Sequence, residues 1–197
     1  MIMAERRLLL PLAALGLGIV ALCAALFLAL APRAPGAPQP SAIGGPFKLV
    51  AQDGRVVSDA DLKGGPALVF FGYTHCPDVC PTTLFEISAL LAKLGPDKKL
   101  TGVFVTVDPE RDTQSVLKDY LASFDARILG LTGEPAAIDA VKKAYRVYAK
   151  RNPQEGGGYL IDHTALVYLL DKQGRFVNAF NLDRPVDEAA KELAGYF

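Results

Sequence analysis

Ala67-Leu68-Val69-Phe70-Phe71 is the stretch that most limits what this chain can become. Five consecutive apolar residues, bounded by Gly64-Gly65-Pro66 and Gly72, fit a strand buried on both faces of its sheet. Such a strand needs helices as cover, and the sequence after it alternates accordingly. Leu84, Ile87, Leu91 and Leu94 recur at helical spacing until Gly95-Pro96 stops them. Residues 102–107 read as a second buried strand, followed by a helix over about 113–123, a short strand over 128–131 and a helix opening at Pro135. Ile138, Val141, Tyr145 and Tyr148 give that last helix one apolar face. Residues 152–158 read as a loop with three consecutive glycines. Residues 165–170 and 175–180 then pair as a hairpin around Asp171-Lys172-Gln173-Gly174, and a helix over 187–193 closes the chain. Ahead of all this, Asp53-Gly54 between Phe47-Lys48-Leu49-Val50 and Arg55-Val56-Val57 is a two-strand hairpin signal. The order ββ, βα, βα, βα, ββ, α predicts an α/β fold with parallel strands and an antiparallel hairpin at the end.

The turn leaving the first buried strand carries Gly72-Tyr73-Thr74-His75-Cys76-Pro77-Asp78-Val79-Cys80-Pro81-Thr82. It lies at the carboxyl end of a central strand, where ligands collect in such sheets. Each cysteine precedes a proline, which disfavours the helical region for both and argues against a helix running through them. Pro81 fits the first helical position, which makes Cys80 the N-cap. Two thiols at a helix N-terminus are placed where the dipole favours thiolate. Three residues separate the cysteines, against two in thioredoxin-type redox motifs. A chelated metal lets its two sulfurs stay about 4 Å apart, given ~2.3 Å metal–sulfur bonds. A disulfide instead requires ~2.05 Å and tighter geometry. The wide loop suits a chelate better without forbidding a disulfide.

Two thiolates leave a metal site incomplete, and the chain has only two histidines. His75 adjoins Cys76, and neighbouring side chains in an extended segment point oppositely, so it faces away. His163, in Asp162-His163-Thr164, precedes an apolar strand. A hydrogen-bonded structural histidine is the ordinary reading there, and a dithiolate in need of a partner makes it a candidate ligand. Asp162 is a candidate to orient the imidazole or its loop. Thiolates with one imidazole suit Cu(I) and, in trigonal array, Cu(II), whereas structural zinc takes four ligands. Copper is the expected ion.

The remaining sequence says where such a site would work. Residues 8–31 are 24 positions without a charge. As a helix they would extend about 36 Å, enough to cross a hydrocarbon core of ~30 Å. Arg6 and Arg7 before this run, against Arg33 alone after it, orient the domain to the outer side. A cleaved signal peptide is the rival, since Ala29-Leu30-Ala31 has the small-x-small form. The apolar run exceeds the ~7–15 residues of a signal core, which favours a retained anchor over residues 1–31. Cys23 within it reads as a lipid-facing residue. Residues 32–45, rich in proline, alanine and glycine, read as an extended linker to a domain over 46–197. The first forty residues hold three arginines and one glutamate, which leaves 18 basic and 20 acidic residues beyond them. With no basic block, nucleic acid is not an expected partner.

The cysteine loop, Val107-Asp108-Pro109-Glu110-Arg111-Asp112-Thr113, Tyr145-Arg146-Val147-Tyr148 and Asp162-His163-Thr164 together closely resemble the Sco/SenC family, in matching order over nearly all of positions 44–197. The resemblance implies a membrane-anchored, thioredoxin-like fold that binds copper through Cys76, Cys80 and His163. It also implies a role in assembling the dinuclear copper centre of cytochrome c oxidase, by supplying copper or by keeping the target's cysteines reduced. The partner implied is the oxidase's copper-containing subunit, with another periplasmic copper donor upstream. The setting implied is a bacterial inner membrane crossed once, with the domain in the periplasm. Loop 152–158 departs from the family in being less acidic than its pattern leads one to expect.

A copper metallochaperone is therefore the first expectation and a dedicated thiol–disulfide reductase the alternative, with Cys76 and Cys80 as its redox pair. General oxidoreductases of this kind carry a proline opposite the cysteines, where this chain has Asp162-His163-Thr164. That weakens a broad enzymatic role, and the reading is of a carrier before an enzyme. A peroxidase or a redox sensor finds less support still.

Overall fold

The computed structural model describes Leu22 and residues 43–197. Apart from Leu22, the membrane anchor expected over 1–31 lies outside the described residues, as does most of the linker expected over 32–45. Among the described residues, no helix is long and apolar enough to cross a membrane. Ile43 already packs on the core and the Gly44 N–H donates to the Ala144 carbonyl at 2.9 Å, so ordered packing is in place by that point.

The domain opens with the expected hairpin, β1 (Lys48–Ala51) and β2 (Val56–Ser58), turned at Gly54 with φ +87°. Strands β3 (Ala67–Gly72), β4 (Thr101–Thr106) and β5 (Ile128–Thr132) run parallel. They alternate with helices α1 (Val79–Leu94), α2 (Gln114–Leu121) and α3 (Pro135–Ala144). Strands β6 (Ala149–Pro153) and β7 (Tyr159–His163) follow, then β8 (Val167–Leu170), β9 (Phe176–Phe180) and α4 (Val186–Leu193). One seven-stranded sheet has the order β2-β1-β5-β4-β3-β8-β9, with β3 central between parallel β4 and antiparallel β8. A parallel β–α–β unit followed by an antiparallel hairpin and a last helix is the thioredoxin-like arrangement.

All six residues of β3 are buried. That is the double-sided burial its uninterrupted apolar run requires, with Leu84, Ile87, Leu90 and Leu91 of α1 among the buried side chains covering it. Each such side chain withdrawn from water contributes about 1.5–3 kcal/mol toward the conformational entropy cost of folding. Gly95 ends α1 at φ +77°, donating its N–H to the Leu91 carbonyl at 3.1 Å.

Three local expectations need correction. Helix α1 starts at Val79 with Asp78 as N-cap, so Cys80 lies inside the first turn instead of capping it. The N–H groups of the first turn have no intrahelical acceptor, so Pro81 sits there as easily as at the first position. The helix from Pro135 ends at Ala144, and Tyr148 lies beyond it, exposed. Arg146, at φ +56°, turns the chain out of α3 and into β6. Third, the glycine loop is the tip of a two-stranded hairpin, β6–β7, which pairs Ala149 with His163 and Pro153 with Tyr159. Gly156, Gly157 and Gly158 all have φ between +79° and +99°, so the tip needs residues without Cβ.

Candidate metal centre

Strand β3 ends at Gly72, and the chain immediately makes the tight turn that carries the cysteines. The Cys76 N–H donates to the Tyr73 carbonyl at 3.2 Å. Cys76 is half-buried at the turn's surface, and Cys80, one helical turn along, is wholly buried. The Cys80 sulfur rests on Gly72: a Cβ there would lie 2.6 Å from that sulfur and 2.7 Å from the Phe104 ring. Glycine at 72 is thus the space that Cys80 occupies, a site residue that hydrophobic patterning alone does not reveal.

His163 arrives from the other side, as the last residue of β7. Its Nε2 lies 3.4 Å from Cys80 Sγ, and its Nδ1 lies 3.1 Å from the Thr164 carbonyl. With the Nδ1 proton donated to that carbonyl, the Nε2 lone pair faces the sulfurs. The ring is held edge-on to Tyr73 (centroids 5.7 Å apart, 86°) and against Phe70 (6.1 Å, 66°). Backbone and aromatic rings therefore orient the imidazole, where Asp162 was a candidate. Asp162 is exposed, and its charge only adds to the field on the ring. His75 is exposed and bonds Thr74 Oγ1, outside the cluster, as expected.

The ligand atoms of Cys76, Cys80 and His163 all lie within 4.8 Å of one another, the only such group of three among the described residues. A cleft of about 360 Å³, lined by Tyr73, Cys76, Pro77, Leu160 and His163 among others, leads to them. Burial pushes the Cys80 thiol up, away from the easy ionisation that a helix terminus would give. The magnitudes explain the reversal: a helix dipole supplies about 0.3–1 kcal/mol, whereas burial shifts a group by up to ~3–5 pKa units. Cys80 without metal is therefore a protonated, apolar thiol that binding must deprotonate. Burial likewise holds the His163 imidazole below its ordinary value, in the neutral form that a metal ligand needs.

Two buried aspartates support this arrangement. Asp112 accepts from Thr74 N–H at 3.1 Å, from Thr74 Oγ1 at 2.6 Å and from Thr106 Oγ1 at 2.6 Å, so it grips the loop two residues before Cys76. Asp108 pairs with Arg111 and accepts from the Tyr159 hydroxyl at 2.8 Å. Both belong to the motif at 107–113, whose sequence signalled resemblance but not this role.

Comparison with known proteins agrees with the geometry. The SCO1/SenC family model matches residues 35–197. The Protein SCO1 homolog 1, mitochondrial, of Arabidopsis thaliana is 37% identical over 162 residues, which cover 79% of this chain and 48% of the relative. The chain thus spans about half the length of that relative. The structure of Bradyrhizobium japonicum ScoI with copper bound superposes with a TM-score of 0.77 at 56% identity, covering 79% of this chain and 99% of that one. The structure of BsSco, described as a member of the Sco family of cytochrome c oxidase assembly proteins and as having a disulfide switch, matches with a TM-score of 0.63 at 25% identity, covering 81% and 96%. The mixed sheet, the paired cysteines on the turn after β3 and the histidine brought to them from a separate hairpin are those of a family member: this chain belongs to the SCO1/SenC family.

Proposed function

We propose that this chain binds copper as cargo through Cys76, Cys80 and His163 and delivers it to the dinuclear copper centre of cytochrome c oxidase. The observation that carries this reading is the convergence of two sulfurs and one imidazole nitrogen within 4.8 Å, from segments 83 residues apart. Two soft sulfurs and a nitrogen fit copper better than zinc, which would want a fourth ligand. The copper-bound relative at 56% identity supports the same ion. The family's part in oxidase assembly supports the oxidase's copper-containing subunit as acceptor, with a separate periplasmic donor loading the site.

The geometry suits handover. Cys80 is the buried anchor, and Cys76 is half-buried beside the open cleft, where an incoming thiol can reach it. The histidine lies at the end of a hairpin outside the main sheet and so reaches the sulfurs from a separate segment. The uncharged run at 8–31 supports a single-pass anchor in a bacterial inner membrane, with the domain in the periplasm. The reductase reading draws on the same two sulfurs and on the disulfide switch described for BsSco.

The test is to load the reduced protein with one equivalent of Cu(I) and mix it with the metal-free copper domain of the oxidase subunit. One arm presents that acceptor with free thiols and another with its cysteines oxidised. Copper moving to the thiol form, and lost in Cys76→Ser, is the expected result. No movement of copper, together with reduction of the oxidised acceptor at the expense of Cys76 and Cys80, would establish the reductase instead.

A further inference from the structure

The hairpin β6–β7 that carries His163 pairs with no other strand among the described residues, so its position depends on side chains. Besides the packing of Ile161 and of the His163 ring, three polar contacts tie the body of β7 to the turns beside it. The Arg111 guanidinium donates to the Tyr159 carbonyl at 3.0 Å and lies 3.7 Å over the Tyr159 ring. The Tyr159 hydroxyl donates to Asp108, which is fully buried and paired with Arg111. The Ile161 N–H donates to the Tyr73 hydroxyl at 3.0 Å. Tyr159 is four residues from His163, about 13 Å along the strand, so the clamp sets the angle at which the imidazole arrives.

The other half of the site is held from the same turn. Asp112, four residues after Asp108, grips Thr74 at the start of the cysteine loop. Thr106 links the two acids, accepting from the Asp108 N–H at 2.9 Å and donating to Asp112. We infer that the turn between β4 and α2 gauges the distance between thiols and imidazole, with Asp112 fixing the thiol loop and Asp108, Arg111 and Tyr159 acting as positioning residues for His163. The inference rests on the reading of these three side chains as a copper site. It assigns a purpose to the motif at 107–113: one rigid turn holds both ligand-bearing segments, so their separation is set before metal arrives.

Two variants and two measurements test it. Tyr159→Phe removes only the hydroxyl on Asp108 and keeps the ring under Arg111; Arg111→Gln removes the guanidinium. In the metal-free protein, exchange of the Ile161 amide is expected to quicken about tenfold or more in Tyr159→Phe, from loss of a hydrogen bond to a charged acceptor, and further in Arg111→Gln. Amides of Val69, Phe70 and Val103 in the central strands should keep wild-type rates. With Cu(II) bound, the imidazole nitrogen coupling in the electron paramagnetic resonance spectrum should weaken while the thiolate-to-copper band persists. Uniform acceleration across the central strands, no change at Ile161, or faster Ile161 exchange with an unaltered imidazole signal would each overturn the inference. A wild-type protein that binds Cu(II) with no imidazole coupling would instead refute the copper-site reading, and the metal-free exchange data would still decide whether the clamp positions the hairpin.

Discussion

Asp112→Ala is expected to destabilise the domain by about 2–4 kcal/mol, the largest cost we anticipate from a single change outside the ligands. The substitution leaves the Thr74 N–H and the Thr74 and Thr106 hydroxyls without their acceptor, and a buried donor left unpaired costs about 1–3 kcal/mol. Release from the burial of a carboxylate offsets part of the sum. For a domain of this size the loss corresponds to a melting temperature lower by roughly 2–4 °C per kcal/mol. Asp112→Asn keeps one acceptor oxygen and carries no charge, so it should cost less than alanine. The comparison also has a pH signature. Burial raises the Asp112 carboxyl above its ordinary value, so between that value and the raised one the folded state holds a proton that the unfolded state has lost. The wild type's stability relative to Asp112→Asn must therefore fall as pH rises through this window. Denaturant midpoints of the three proteins between pH 4 and pH 7 measure both effects; a relative stability that rises with pH would contradict the assignment.

Gly72→Ala should be the second costly change. The added methyl would stand 2.6 Å from the Cys80 sulfur and 2.7 Å from the Phe104 ring, distances that real contacts do not sustain. Gly72 is part of β3 and its carbonyl accepts from Val107 at 2.8 Å, so the strand resists moving and the sulfur must yield. Overpacking of this kind costs about 1–3 kcal/mol. Displacement of Cys80 should also weaken copper binding beyond what lost stability explains. Folding measured by urea and copper uptake measured by competition with a Cu(I) chelator separate the two; unchanged copper affinity would show that the close approach at 72 does not serve the site.

What the sequence discloses and what it hides follow from the physics of each segment. The parallel strands were legible because 67–71 and 102–107 are buried on both faces and so are apolar but for Thr106, whose hydroxyl is paired with Asp112. Strand β6 hides because Ala149-Lys150-Arg151-Asn152-Pro153 has no apolar face. It is held by pairing with β7 and by the Arg151–Glu110 ion pair, and propensity sees neither. Cys80 was misplaced at the helix start because proline at 81 satisfies two positions of the first turn equally well, and only tertiary packing chooses between them. Its burial then reversed the expected ease of ionisation, since the pocket formed by Gly72 and Phe104 is assembled from residues distant in sequence. Cys76, Cys80 and His163 were all nameable beforehand, and the structure brings them together. Asp108 and Asp112 were visible only as letters of a motif, because the partners that give them meaning, Tyr159 and Thr74, lie 51 and 38 residues away.

The central claim is that these three side chains together hold one copper ion. X-ray absorption at the copper edge, on the reduced protein loaded with one equivalent of Cu(I), tests it most directly. Two sulfur scatterers and one nitrogen are expected, with the nitrogen lost in His163→Ala and one sulfur lost in Cys80→Ser. A copper shell without sulfur, or one unchanged by both substitutions, would contradict it.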